Sequence, residues 1–501
     1  MVILIGLFSL SPGHGQYTFA RADTIAVKSY YVDGINGSDM NPGTQAQPWN
    51  TIQKAVSMVR AGDTVYVRGG QYETINGGWV FSNSGTASQP ITLTNYPGEQ
   101  VVFKITQYDI NYQAFRCWIT TEWLTPRADY IRLIGTDVGP RLLSNGVQSS
   151  KGLVVQGPDT GYTLGMGVRT SGCDYWEVAG MDFVDVGYGI FTKKNNRQTM
   201  QDNSPKHWYV HDNRVYGFWG ESGMQFNGDY NRVENNEIYK VKDQTVTPYG
   251  CQALNFLGHH NTITGNTLVG TVGCSGVLFE WDLSDYNVLE KNRIVDGNTG
   301  VYVGGGDNNI IRNNLIYRTA PDATKYGIII FSADNRTTWP CDEETGATSI
   351  LPANDPSHPD YPYYYNPRNC HSYNNQIYNN VIDGYGFGIQ IKLLVGENTV
   401  IRNNAIAEWG KWSICYSTGG ACLALPGSVM ADNNVDQGFF GFVDLANHDF
   451  HLAPGSPLID AGFDLTGLVP DDYDGTPRPQ GLGFDIGAFE YIPTTQATST
   501  P

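Results

Sequence analysis

The amino-acid sequence predicts an all-β protein, a single-stranded right-handed parallel β-helix in which short strands stack coil upon coil into a solenoid. Asparagines end short apolar segments at intervals of 22 to 30 residues, with one interval of 66 residues. Glycines open apolar strands at a similar interval. The composition, with 59 glycines and 16% charged residues among 501, suits many short strands joined by tight turns. The asparagines are Asn213, Asn236, Asn266, Asn292, Asn314, Asn380, Asn404 and Asn434.

The text around these asparagines repeats, as in "NRVENNEIY", "NTITGNTLV" and "NIIRNNLIY". Each repeat predicts a strand, a tight turn at asparagine and a second strand. Asparagine suits such a turn because it tolerates the left-handed conformation and hydrogen-bonds to nearby backbone. Stacked coils would align the amides into hydrogen-bonded ladders. We expect roughly a dozen coils.

The N-terminal region divides into two predicted segments. Residues 1–22 contain an apolar run at 2–10 that is too short to cross a bilayer and is typical of a secretory signal. Residues 23–105 combine strands with helical spacing at 51–60, which predicts a helix that caps the open end of the solenoid. The segment beginning "SYYVDGINGSDMNPGTQAQPWNTIQKAV" resembles the N-terminal entry module of secreted pectate-lyase-like β-helix proteins. The resemblance implies the architecture and an extracellular location, and it is compatible with several activities.

We assign the β-helix coils to residues 106–445, with a Pro- and Tyr-rich loop at 333–371 that we expect to wall a groove. Residues 446–491 resemble the closing segment of bacterial exported β-helix proteins, which implies structural roles for Asp485 and Glu490. Residues 492–501 form a Thr/Pro linker of the kind that leads to a further C-terminal module.

Eight cysteines suit an exported, oxidised protein and form no CxxC pattern, so we predict disulfides and no metal site. Candidate pairs are Cys251 with Cys274, which lie about one coil apart, Cys415 with Cys422, and Cys341 with Cys370. The formal net charge of −18 disfavours binding to nucleic acid or to anionic membranes. We expect a monomer with no membrane span that acts on a polysaccharide or oligosaccharide outside the cell.

Alignment on the strand-opening glycines predicts which side chains face the solvent. Because side chains alternate along a strand, the second and fourth residues after each glycine should point outwards. For the coil that begins at Gly250, this alignment also brings Phe256 to the outer face. The predicted substrate-binding residues are Lys193, Gln225, Asn227, Phe256, Trp281, Tyr302 and Lys392.

The coil "GVLFEWDLSDYN" carries the strongest candidate chemistry. Glu280 and Asp282 lie two residues apart on a strand, so both should project from one face. Paired carboxylates can serve as acid and nucleophile, or as acid and base, in glycoside hydrolysis. Asp307, one coil further on, is a weaker catalytic candidate. The segment resembles the carboxylate-bearing coil of β-helix glycoside hydrolases, and our main prediction is therefore an exported glycoside hydrolase.

Two alternatives remain open. A polysaccharide lyase acting on a uronate polymer needs a base, for which Lys193, Lys194 and Lys392 are candidates, and a charge that neutralises the carboxylate. Ca²⁺ is the cofactor that this alternative would use, with Asp282 and Asp285 as part of its site. The second alternative is a non-catalytic adhesive β-helix on the cell surface.

Overall fold

The computed structural model describes residues 27–107, 111–118, 127–159, 163–193, 205–239, 251–270, 274–280, 284–331, 372–392, 396–407, 410–418 and 421–493. Within them the chain winds into a parallel β-helix with three faces, which we name the first, second and third faces in chain order around each coil. Apolar side chains from all three faces fill the interior as one continuous core. The predicted fold class is confirmed.

The first face is a parallel sheet of thirteen strands, which agrees with the expected dozen coils. Its strands are Ser29–Val32, Thr64–Val67, Ile91–Asn95, Ile131–Ile134, Glu177–Ala179, Tyr209–His211, Arg232–Glu234, Thr262–Thr264, Val288–Glu290, Ile310–Arg312, Gln376–Tyr378, Val400–Arg402 and Met430–Asp432.

The second face follows after a tight turn. Its strands are Gly70–Glu73, Val101–Lys104, Leu153–Gln156, Met181–Val186, Arg214–Phe218, Glu237–Tyr239, Thr267–Val269, Arg293–Val295, the first part of Leu315–Phe331, the first part of Val381–Lys392, and Ala405–Ala407.

The third face completes each coil and joins the second face in one sheet, because two long strands run around the corner between them. Its strands are Trp79–Val80, Gln113–Trp118, Met166–Ser171, Tyr188–Lys193, Ser222–Phe226, Gln252–Phe256, Ser275–Glu280, Thr299–Gly304, the second parts of the two long strands, and Trp412–Thr418.

The remaining elements decorate the solenoid. One hairpin pairs Asp137–Leu142 with Gln148–Lys151, and Ala421–Leu423 pairs with Trp412–Thr418. A third antiparallel pair, Phe442–Asp444 with Asp449–Leu452, encloses the 3₁₀ turn Leu445–Asn447.

The predicted N-terminal helix spans Ile52–Met58. Thr51 caps it, since the Thr51 hydroxyl accepts a hydrogen bond from the backbone N–H of Lys54 at 3.1 Å. Ile52, Ala55 and Val56 are buried and join the core. The proposal that this helix caps the solenoid, like the domain boundaries given above, stays a prediction.

The predicted asparagine ladder runs along the corner between the first and second faces. From Asn213 to Asn434, each amide nitrogen donates to the amide oxygen of the next asparagine at 2.9 or 3.0 Å. The left-handed backbone lies one residue earlier than we expected. The residues with positive φ are Asp212, Asn235, Gly265, Lys291, Asn313, Asn379, Asn403 and Asn433.

Two further ladders line the turn between the third and first faces. Asn231, Asn261, Asn287, Asn309 and Asn375 each accept a hydrogen bond from a backbone N–H of the preceding coil. Beside them six rings stack with centroids 4.4 to 5.3 Å apart, each on a residue with positive φ. These rings belong to Tyr130, Tyr175, His207, Tyr230, His260 and Tyr286.

A buried polar network holds the C-terminal segment together. The Arg478 guanidinium bonds to the Glu490 carboxylate at 2.6 Å, and both side chains are fully buried. Asp485 accepts hydrogen bonds from the backbone N–H groups of Asp460 and Tyr491. Asp485 and Glu490 thus have the structural environment that the sequence implied.

The structure contains two disulfides among its described residues. Cys251–Cys274 is the predicted bridge between neighbouring coils, whereas Cys117–Cys173 was not foreseen. The predicted Cys415–Cys422 disulfide is wrong, because both residues are thiols. Across their hairpin Cys422 lies opposite Ser417, two residues after Cys415. Cys341 and Cys370 lie outside the described residues.

Candidate active site on the third face

The outer surface of the third face carries the candidate chemistry in two columns. The central column is formed by residues at one register position, namely Arg116, Arg169, Phe191, Gln225, Asn255, Leu278, Tyr302, Ile329, Gln390 and Cys415. The neighbouring column, two residues further along each strand, includes Asn227, Glu280, Gly304, Phe331 and Lys392, and the backbone of Lys193 holds the same register position. Adjacent coils are about 4.8 Å apart, so each column is a closely spaced track along the solenoid.

One coil of the predicted alignment is wrong. Phe256 was expected on the outer face, but it is fully buried and packs between the rings of Phe226 and Phe279. The reason is that Ala253, and not Gly250, occupies the strand-opening position that Gly223 holds one coil earlier. This shift of three residues reverses which side chains point outwards, so Asn255 takes the outer position. Phe256 therefore cannot contact a ligand on this face.

Glu280 lies on the outer face, as predicted. It is the last residue of the strand Ser275–Glu280 and is partly exposed, while Phe279 before it is buried in the core. The Asn255 amide, one coil earlier, donates a hydrogen bond to a Glu280 carboxylate oxygen at 2.8 Å. A fixed amide donor orients this carboxylate without neutralising it.

Tyr302 and Gly304 form the next coil beside Glu280. A side chain at position 304 would meet the Tyr302 ring at 2.8 Å, so the missing side chain of Gly304 makes room for that ring. Burial, followed by the charge of Glu280, raises the pKa of the Tyr302 hydroxyl, which therefore stays protonated and can donate a hydrogen bond.

Glu221 supplies a second carboxylate that we did not foresee. It is partly buried immediately before the strand Ser222–Phe226, and its backbone N–H donates to the Tyr188 hydroxyl at 3.2 Å. Burial raises the pKa of Glu221, and the negative charge of Glu280 raises it further. Burial also raises the pKa of Tyr188 to about 12. A carboxyl with a raised pKa is suited to acid catalysis. Glu221 precedes its strand, whereas Glu280 ends a strand two coils further on, so the two side chains start from opposite edges of the face.

Gln225, Asn227, Lys193 and Lys392 take their expected register positions. Gln225 donates to the Asn227 amide oxygen at 3.1 Å, so these two side chains form one polar unit. The Lys392 ammonium lies 5.6 Å from the centre of the Phe331 ring, towards the C-terminal end of the columns. Lys193 ends the strand Tyr188–Lys193 next to Ser171 of the preceding coil.

Two arginines that we did not foresee occupy the N-terminal end of the central column. Arg116 and Arg169 are direct neighbours on adjacent strands, and both are partly buried. Arg116 donates to the Gly77 carbonyl at 3.3 Å, and the Arg169 guanidinium lies 6.0 Å from the centre of the Phe191 ring. Burial lowers the pKa of both groups, and the charge of Arg169 lowers that of Arg116 further.

The remaining acidic candidates do not join this group. The Asp307 carboxylate lies in a turn, where it accepts a hydrogen bond from the backbone N–H of Tyr373 at 2.6 Å. Asp285 accepts from the backbone N–H of Asp307 and contacts His259. Among the residues that the structure describes, no three His, Cys, Asp or Glu side chains could together hold a metal ion. Asp282, the other acidic residue of the calcium alternative, lies outside the described residues, so that alternative stays a prediction.

Some predicted features lie outside the described residues. These are Trp281 and Asp282, the base candidate Lys194, the loop at 333–371, and the segments at 1–22 and 494–501. The catalytic pairing of Glu280 with Asp282 therefore stays a prediction. No helix in the described ranges is long and apolar enough to cross a membrane.

A signal for the arginines was present in the sequence. Gly167 opens the strand segment "GVRTS" and Ala114 opens "AFRCW", so two more coils fit the glycine alignment and place Arg169 and Arg116 in the central column. Small residues other than glycine at this position, namely Ala114 and Ala253, conceal the register. Glu221 lies before its strand and outside the columns, and no repeat marks it.

Comparison with known proteins identifies the class to which this architecture belongs. Residues 30–277 match the family model described as Pel9A-like, right handed beta helix region. These residues, just under half of the chain, are similar to that family. The match includes Arg116, Arg169, Gln225 and Asn255, and it ends just before Glu280.

Curated relatives match over short segments. A pectate lyase, PEL9, from Emericella nidulans is 45% identical over 90 residues, or 18% of this chain and 22% of the relative. The uncharacterized protein YwoF from Bacillus subtilis is 38% identical over 87 residues, or 17% of this chain and 18% of the relative. The chain thus spans about a fifth of the length of these relatives. A solved structure of XylC in complex with xylose is 12% identical, covers 93% of this chain and 98% of its own, and has a TM-score of 0.53, which supports the fold alone.

Proposed function

We propose that the protein is an exported polysaccharide lyase that cleaves a uronate-containing polysaccharide bound along the third face. The observation that carries the proposal is that the segment matching the Pel9A-like family bears the adjacent Arg116 and Arg169 on this face. A relative over part of this chain is named a pectate lyase. The disulfides support an extracellular location. This proposal adopts the alternative that we first ranked below hydrolysis.

β-Elimination sets the roles that the site must fill. A base removes the proton from the carbon next to the uronate carboxylate, and a positive charge stabilises the carboxylate as electrons shift onto it. The bond to the leaving sugar oxygen then breaks, a carbon–carbon double bond forms, and the leaving oxygen gains a proton. We assign the base to Lys193, which lies one coil from Arg169. Lys392, at the opposite end of the columns, is the second candidate.

The test is a panel of neutral and acidic polysaccharides, read both for reducing ends and for the ultraviolet absorbance of unsaturated uronates. We expect both signals on polyuronates. Lys193→Gln should lower the rate at least about a hundredfold if Lys193 is the base, while Lys151→Gln, on a hairpin away from this face, should not. Reducing ends without ultraviolet absorbance would contradict the lyase proposal.

Glycoside hydrolysis is the second candidate, because Glu221 with its raised pKa lies within the electrostatic influence of Glu280. In this case Glu221 would be the acid and Glu280 the ionised partner that Asn255 orients. Glu221→Gln and Glu280→Gln should each then abolish release of reducing ends without changing the melting temperature. Retention of full hydrolytic activity by Glu280→Gln would contradict this assignment, and glycan binding without either product would favour the adhesive alternative.

A further inference from the structure

We infer that Arg116 and Arg169 together form a binding subsite for one carboxylate group of the polysaccharide. This inference rests on the proposed function, because it assumes that the ligand on the third face is a uronate polymer. It adds the residues that recognise the acid group and the place on the face where they do so.

The first support is geometric. Arg116 and Arg169 occupy the same register position on adjacent parallel strands, so their backbones are about 4.8 Å apart and both side chains leave the same side of the sheet. A carboxylate has two oxygens, and the planar fork of a guanidinium matches it through two parallel N–H donors. Two such forks at this spacing can hold one carboxylate between them.

The second support is electrostatic. The molecule has a net charge of −18, yet this end of the third face places two positive groups side by side. Both arginines are partly buried, and repulsion from the charge of Arg169 lowers the pKa of Arg116 beyond the effect of burial. An anion bound between them would relieve that repulsion, and partial burial strengthens the attraction relative to open solvent.

The third support is the position along the column. Phe191, Gln225 and Asn255 continue from Arg169 one coil at a time. Arg169 is therefore about 14 Å from Asn255, the residue that contacts Glu280. A sugar chain lying along the column can place one acid group between the arginines while a neutral part of the same chain meets the amides of Gln225 and Asn227.

The experiment measures affinity and cleavage for polygalacturonate and for the same polymer with methyl-esterified carboxyls. Wild-type protein is compared with Arg116→Gln, Arg169→Gln and the control Arg132→Gln, which alters an arginine that pairs with Glu177 on the first face. We expect each of the first two variants to bind polygalacturonate about tenfold more weakly, and the control to bind normally. Wild-type preference for the unesterified polymer should shrink by the same factor in both variants.

The outcomes separate the two proposals. Polygalacturonate binding that depends on the arginines, without any unsaturated product, would overturn the lyase proposal and support the subsite. Elimination with unchanged affinity and unchanged ester preference in both arginine variants would overturn the subsite alone. Arg116→Lys and Arg169→Lys keep the charge but lose the fork, and they carry the test if a glutamine variant does not fold. For them we expect intermediate affinity, and affinity equal to wild type would contradict paired-fork recognition.

Discussion

Two regions of the same solenoid follow opposite rules. The corner between the first and second faces carries asparagine in coil after coil, and each amide makes the same bonds as its neighbours. The central column of the third face changes its residue at almost every coil, from arginine through phenylalanine and amides to tyrosine. Repetition at the corner stabilises the stack, whereas variation on the third face creates local chemistry. The predictions below test this separation.

The largest expected effect is on the corner. Asn292 donates to the carbonyls of Ile263 and Glu290 and to Asn314, and it accepts from Asn266. Asn292→Ala should lower the free energy of unfolding by about 3 to 5 kcal/mol, because it leaves several buried groups unsatisfied.

The matched control for this substitution is Asn227→Ala on the third face, which should change the free energy of unfolding by less than about 1 kcal/mol. Denaturant titration of both variants provides the measurement. Equal losses would mean that the third face is as structural as the corner.

A smaller effect concerns the first face, whose outer residues pair by charge. A hydrogen bond from His211, aided by Arg132 and opposed by burial, lowers the pKa of Glu177 to about 2 from an ordinary value of 4.5. Although burial opposes it, hydrogen bonds to Glu177 and Asp212 raise the pKa of His211. The contribution of Glu177 to the free energy of unfolding is complete above pH 4.5 and is lost as the pH falls towards 2. The contribution of His211 to the same free energy is lost as the pH rises through its raised pKa.

Glu177→Gln should therefore lose less stability than the wild type as the pH falls from 4.5 towards 2. We expect Glu177 to account for about 2 kcal/mol of the loss in the wild type. Melting temperatures measured from neutral to acid pH check this expectation. If the melting temperature falls as steeply with decreasing pH in Glu177→Gln as in the wild type, other carboxylates cause the acid destabilisation.

The smallest expected effect tests the third face directly. Gly304→Ala places a methyl group 2.8 Å from the Tyr302 ring, which must therefore move from its position beside this glycine. We expect about 1 kcal/mol of destabilisation together with a loss of polysaccharide cleavage. Gly427→Ala is the control, because a methyl group at this position meets no atom within 4 Å. This substitution should change neither the stability nor the rate of cleavage. Cleavage at the wild-type rate in Gly304→Ala would exclude a role for the Tyr302 position.

The sequence predicts these two regions unequally well. The ladder from Asn213 to Asn434 could be predicted because one residue type recurs at the coil period. On the third face the glycine alignment places Glu280 and Tyr302 correctly but misplaces Phe256, because Ala253 fills the strand-opening position. Glu221 has no periodic partner, and only the fold brings it within electrostatic reach of Glu280. A repeating sequence pattern therefore predicts features that recur in every coil, but it does not predict a residue such as Glu221 that occurs in one coil.

The amides of the corner ladder all point in one direction along the axis, because each nitrogen donates to the oxygen of the following coil. Such a row behaves as a one-dimensional chain of nearest-neighbour couplings with aligned dipoles. An interior coil is held from both sides, whereas a terminal coil is held from one. Thermal opening then proceeds as fraying from the ends, and amide hydrogen exchange slows towards the middle of the stack. The coils that carry Asn255 and Glu280 lie inside this row, whereas the coil that carries Gln225 is its first member.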